Sequence, residues 1–138
     1  MTDDRWVRDQ LEIRTLIERY SDAACRRDSA TLMTLWADEC RWSVPDMKGL
    51  ENVVGKAAIK QTFDGAQALF PFVWLVCIPG YVEVTGETAV ARSYTTEVLK
   101  DTAGTVRKAV GRYDDKFARI NGKWYFTERT WWLQHMDG

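Results

Sequence analysis

Ile13, Leu16, Ile17, Tyr20 and Ala24 recur at i, i+3, i+4, i+7 and i+11, a single apolar stripe on a helix that runs to about Arg27. Asp3 or Asp4 can cap its start, and Arg14, Glu18 and Arg19 fall off the stripe. Tyr20 sits near the stripe's centre, which aims its hydroxyl into the fold. Asp28-Ser29 reads as a break and a fresh N-cap before a short helix bearing Leu32, Leu35 and Trp36. After Asp38-Glu39 the period falls to two. Cys40, Trp42 and Val44 alternate with Arg41 and Ser43, and Pro45 ends that strand. Residues 46–55 read as a loop, and a third helix from about Lys56 to Asp64 turns Ile59 and Phe63 inward.

The second half is strand-like. Phe72 to Ile78 is an unbroken apolar run closed by Pro79-Gly80, and Tyr81–Thr85 and Thr88–Leu99 flank a turn at Gly86-Glu87. Lys108 to Gln134 then forms a long antiparallel hairpin around Asn121-Gly122, a dipeptide that tolerates the positive φ angles of a two-residue turn. An unbroken register places Tyr113, Asp115 and Phe117 on one face with Trp124, Phe126, Glu128 and Trp132. The opposite, solvated face takes Asp114 with Arg129 and Arg112 with Trp131. The first face is aromatic and inward, yet it sets Asp115 opposite Glu128.

Three helices in the first half and an antiparallel second half give an α+β fold, a single domain over 1–138 with the helices packed on one face of a curved sheet. Seven Trp in 138 residues point to a thick aromatic core or an aromatic-lined cavity. A net charge of −1 without a basic run offers no footprint for nucleic acid or an anionic membrane surface. No apolar stretch has spanning length, and the charged N-terminus lacks a signal peptide's apolar core. Cys25, Cys40 and Cys77 are scattered and His135 is the only histidine, so no metal site is expected and a reduced, cytoplasmic setting fits.

Several phrases resemble the SnoaL-like branch of the nuclear transport factor 2-like superfamily. They are Ile13-x-x-Leu16 leading to Arg19-Tyr20, Arg27-Asp28, Leu35-Trp36-Ala37-Asp38, Gly111-x-Tyr113-x-Asp115, and Ile120-Asn121-Gly122-x-Trp124. The resemblance implies a cone, with three N-terminal helices in the concave face of a strongly curved, mainly antiparallel sheet and one pocket at the open end. Relatives include dehydratases, a dehydrochlorinase, isomerases, cyclases and proteins that only bind, so fold alone does not assign function. Dehydratase-like members place an aspartate near the position of Cys25 and a histidine near that of Trp74. This chain has neither.

The candidate catalytic residues are therefore Tyr20, Asp115 and Glu128. Tyr20 matches a family tyrosine that donates to a substrate oxygen; the alternative is a core aromatic whose hydroxyl finds a backbone partner. Asp115 and Glu128, if adjacent on an apolar face, would raise one pKa toward neutrality. A bulge that turns one of them outward, or a salt bridge to Arg92, Arg119 or Arg129, is the alternative. Trp42, Phe63, Trp74, Tyr94, Tyr113 and Trp132 are candidate pocket walls, each also explicable as core. Arg92 is a candidate clamp for a carboxylate or phenolate, or a residue of a solvated face. Cys25 has no nearby histidine to activate it as a nucleophile.

Two functions follow. One is a cofactor-independent lyase or isomerase that moves a proton on a small, hydrophobic, cyclic molecule. The other is a non-catalytic binding module that has lost the family's Asp/His pair. A homodimer or homotrimer through the outer sheet face, with Arg112 and Trp131 in the contact, is expected with either.

Overall fold

The computed structural model describes residues 2–138, with side chains from Asp4 onward. α1 (Thr2–Cys25) carries the apolar stripe, and Ile13, Leu16, Ile17, Tyr20 and Ala24 are all buried. The helix begins at Thr2, so Asp4 lies inside its first turn rather than ahead of it; the Asp3 side chain lies outside the described residues. α1 closes with Asp28 N donating to Ala23 O (2.9 Å) and Arg27 N to Ala24 O (3.2 Å), which places Arg27 in the left-handed region at φ 59°. α2 (Ser29–Thr34) is capped as expected by Asp28, whose carboxylate accepts from Thr31 N at 3.0 Å.

Leu35 and Trp36 do not continue that helix. β1 (Trp36–Ser43) starts four residues earlier than the alternation suggests, because Leu35 caps α2 and its carbonyl accepts from Phe126 N. β2 (Val53–Val54) is a two-residue addition, and α3 (Lys56–Leu69) runs five residues beyond its expected end at Asp64. β3 (Phe72–Thr85), β4 (Thr88–Lys100), β5 (Val106–Ile120) and β6 (Lys123–Asp137) complete the chain.

Pro79-Gly80 does not end a strand. It makes a bulge within β3, after which Tyr81 faces outward and Val82 inward. The proline is tolerated because β3 is the last strand of the sheet and needs no partner on that side.

The six strands lie in the order β2-β1-β6-β5-β4-β3, antiparallel except for β1 with β6. This curved sheet wraps α1, giving the α+β cone. Trp36, Trp124, Phe117, Phe126, Ile13 and Ile17 are fully buried between helix and sheet, each contributing about 1.5–3 kcal/mol of burial. At the closed end Asp9 of α1 accepts from Trp124 Nε1 (3.0 Å), and Gln10 donates to Val82 O (2.9 Å), fixing the helix to the sheet. No helix among the described residues is long and apolar enough to cross a membrane.

Candidate functional site

The β5–β6 hairpin decides which side chains enter the cone. From the Asn121-Gly122 turn the register is unbroken as far as Phe117 opposite Phe126, as expected. Thr127 is then an extra residue. The next pairs are Lys116 with Glu128, Asp115 with Arg129 and Tyr113 with Trp131. One inserted residue exchanges the faces of everything beyond it. Arg129 and Trp131 therefore point inward, while Glu128 and Trp132 point outward. The expected Asp115–Glu128 carboxylate pair does not exist.

Asp115 instead holds Arg129, with Nε to Oδ1 at 2.7 Å and Nη2 to Oδ2 at 3.1 Å, both side chains fully buried. The guanidinium carbon lies 3.7 Å from the centre of the Tyr113 ring, 4.4 Å from Tyr20 and 4.6 Å from Phe126. Burial pushes the Asp115 pKa up while Arg129 pulls it back. Burial also works against the Arg129 charge, but Asp115 and Tyr113 outweigh it and keep the guanidinium protonated. The pair lies behind the two tyrosines and forms their floor.

In front of the tyrosines is a cavity of about 400 Å³ between the sheet, α1, α3 and the 44–50 loop. Its walls are mostly apolar: Val44, Leu50, Ile59, Phe63, Leu75, Leu99 and Trp131 are among them. Trp131 reaches its place because Gly111 has no side chain, and its Nε1 donates to Thr95 Oγ1 at 2.9 Å. Tyr20, Tyr113 and Glu97 supply the polar groups of the inner part. Tyr113 accepts from Trp42 Nε1 at 3.1 Å. Burial raises the pKa of both tyrosines, against the lowering pull of Arg129, so both hydroxyls stay protonated as donors.

Glu97 is the acid of this cavity. It alternates with Ala89, Ala91, Ser93 and Thr95 on the inward side of β4. Among the described residues no side chain or backbone group forms a hydrogen bond or ion pair with its carboxylate, and desolvation pushes its pKa up to about 7.

The model of the SnoaL-like domain matches residues 5–130, nearly the whole chain. The chain belongs to the SnoaL-like domain family. No curated protein matches it in sequence. Among solved structures it is similar to a candidate scytalone dehydratase from Novosphingobium aromaticivorans, at 21% identity and a TM-score of 0.86, covering 99% of this chain and 91% of the other. It is also similar to the hexachlorocyclohexane dehydrochlorinase LinA-type3 of Novosphingobium barchaimii, at 14% identity and 0.87, covering 98% and 92%. An NTF2-like protein with a cystatin-like fold from N. aromaticivorans shares 28% identity at 0.75, covering 96% and 86%.

Within this SnoaL-like cone the candidate residues separate cleanly. Tyr20, Trp42, Phe63 and Tyr113 line the inner cavity. Trp74, Tyr94, Arg92, Glu128 and Trp132 stand on the outer face. Trp74 is 52% exposed, because its inward neighbours on β3 are Val73 and Leu75, so it does not replace a pocket histidine. Arg92 lies over the Tyr81 ring at 5.6 Å. Glu128 ties Arg41 of β1 to Lys116 of β5, and these cations lower its pKa. Cys25 is occupied by Leu75, accepting from its N and donating to its O, both at 3.2 Å.

The outer face also has its own shallow concavity of about 440 Å³ around Arg41, Tyr81, Arg92 and Trp132, where a single pocket was expected. Glu97, Arg129 and Trp131 were missing from the expected site. For Glu97 a signal exists: Ala89 and Ala91 mark the odd-numbered side of β4 as the packed one. No group of three or more His, Cys, Asp or Glu that would suit a metal ion occurs among the described residues.

Proposed function

We propose that the protein is a cofactor-independent lyase or isomerase that moves a proton on a small hydrophobic molecule, with Glu97 as the acid–base group. The observation that carries this is an unpartnered carboxyl in an apolar cavity, its pKa pushed up to about 7, beside two protonated tyrosines. A base of that pKa is half ionised near neutral pH, where the product of availability and strength is greatest. The similar structures are named as a candidate scytalone dehydratase and a hexachlorocyclohexane dehydrochlorinase, names that denote eliminations and agree with this class of chemistry.

Ionised Glu97 takes a proton from carbon next to a carbonyl, and the electron pair moves onto the carbonyl oxygen. The hydroxyl of Tyr20 donates to that oxygen, with Tyr113 beside it held by the Trp42 N–H. Arg129, fixed behind the rings, opposes their burial and makes both hydroxyls stronger donors. Glu97 then returns the proton, to another carbon in an isomerisation or to a departing hydroxyl in an elimination. Asp115 has no part in this transfer, since both its oxygens are committed to Arg129.

Deuterium wash-in to 2-tetralone, followed by mass spectrometry, tests the reading. Wild-type protein is expected to accelerate exchange, with a rate that rises through a single transition near pH 7. Glu97→Gln should lower it by about 10²–10⁴-fold, and Tyr20→Phe should lower it without moving the transition. Exchange at buffer rate, or equal exchange by wild type and Glu97→Gln, would leave a binding module instead.

A further inference from the structure

The rim of the inner cavity is rich in hydrogen-bond donors. Arg27 donates Nη2 to Gln67 O (2.6 Å) and Nη1 to Phe70 O (2.9 Å), closing the end of α3. Among the described residues no carboxylate pairs with its charge. The buried Nε2 of Gln67 has no acceptor among the described residues. Arg107 occupies an inward position of β5, and among the described residues its one acidic partner is Asp101, at 3.6 Å. Arg27, Gln67 and Arg107 all line the cavity. The remaining rim hydroxyl, that of Thr62, is spent on Ala58 O at 2.9 Å.

The sheet register sets the distance from this rim to the acid. Arg107 pairs with Leu99, and Glu97 pairs with Ala109, so Glu97 lies two residues further in along the same pair of strands. Two residues of antiparallel strand rise about 7 Å. That is the span of a six-membered or fused ring between two substituents. An isolated buried donor, the Arg27 guanidinium without an acid and the Arg107 guanidinium with a single long contact to one call for an acceptor with several lone pairs, and a carboxylate supplies about four.

We propose that the cavity takes an apolar ring carboxylate, its carboxylate seated at the rim between Gln67, Arg27 and Arg107 and its ring extending inward to Glu97. This names the substrate class of the site and rests on the reading of the inner cavity as the reaction chamber. Charge is thereby arranged in order along the cavity. The ligand's anion meets cations at the mouth, two strand residues out from Glu97. The neutral end of the ring reaches Glu97 and the tyrosines.

The test compares 2-naphthoate with 2-naphthamide, which has the same shape and no charge, by titration calorimetry at pH 7.5. Wild-type protein should bind the carboxylate at least about tenfold more tightly than the amide. Arg107→Gln and Gln67→Leu should each shrink that ratio by weakening the carboxylate more than the amide, with circular dichroism confirming the fold. Glu97→Gln should leave the ratio unreduced. Equal affinities, a ratio untouched by both rim variants, or binding of neither compound would overturn the assignment. None of those results would alter exchange into neutral 2-tetralone, so the proton-transfer reading stands or falls separately.

Discussion

Glu97 lies in a mostly apolar cavity, among the described residues no cation pairs with it, and desolvation raises its pKa in the folded chain from 4.5 to about 7. The folded state thus holds this proton more tightly than the unfolded chain does. Its contribution to stability is fully present below pH 4.5 and is lost as pH rises through about 7. A shift of this size is worth about 3 kcal/mol at most, and entry of water into the cavity reduces the expected loss to about 1–2 kcal/mol. Glutamine cannot ionise, so Glu97→Gln should flatten this part of the pH dependence and be relatively more stable at pH 8 than at pH 5. Urea midpoints of the two proteins at both pH values measure the difference. An identical pH slope in the variant would mean that Glu97 is hydrated as an ordinary surface carboxylate.

Along the elements, periodicity carried the fold and one inserted residue hid the site. The α1 stripe, the Asp28 cap and the Asn121-Gly122 turn are local signals, set by side chains within a few residues of one another, and all three are legible. The bulge at Thr127 is not, because nothing in Phe126-Thr127-Glu128 marks it. It follows from tertiary demand: Arg129 must face Asp115, and Trp131 must cross Gly111 to reach Thr95. Without the bulge a lone Asp115 would be buried opposite Glu128, at a cost of several kcal/mol. Gly111 records the same constraint. A Cβ there would lie 2.2–2.3 Å from three atoms of the Trp131 indole. Gly111→Ala should therefore displace the indole from Thr95 and cost about 1–3 kcal/mol, seen as a lower Tm together with changed tryptophan fluorescence. An unchanged Tm would show that Trp131 is not fixed against β5.

The whole molecule presents two faces of different character. Its concave side encloses the cavity, while Trp74, Ile78 and Tyr94 are each at least half exposed on the convex side, with Val76 and Val110 beside them. Sheet register makes these continuous: Ile78 pairs with Tyr94, Tyr94 with Arg112 and Arg112 with Trp132, and Val76 runs through Thr96 to Val110. Trp132, not Trp131, is thus the indole of this face. An apolar row of this extent on a sheet calls for a cover. Both signs of charge border it, in Arg92, Arg112 and Lys116 with Asp114 and Glu128, so the surface can face its own copy without net repulsion. We propose that a second copy of the chain covers it, in a homodimer or homotrimer. Sedimentation velocity should show wild type as an oligomer and the Trp74→Glu, Ile78→Glu double variant as a monomer. Because the cavity opens away from this face, the folded monomer should retain deuterium exchange into 2-tetralone. A wild-type protein that sediments as a monomer at high concentration would remove the assignment.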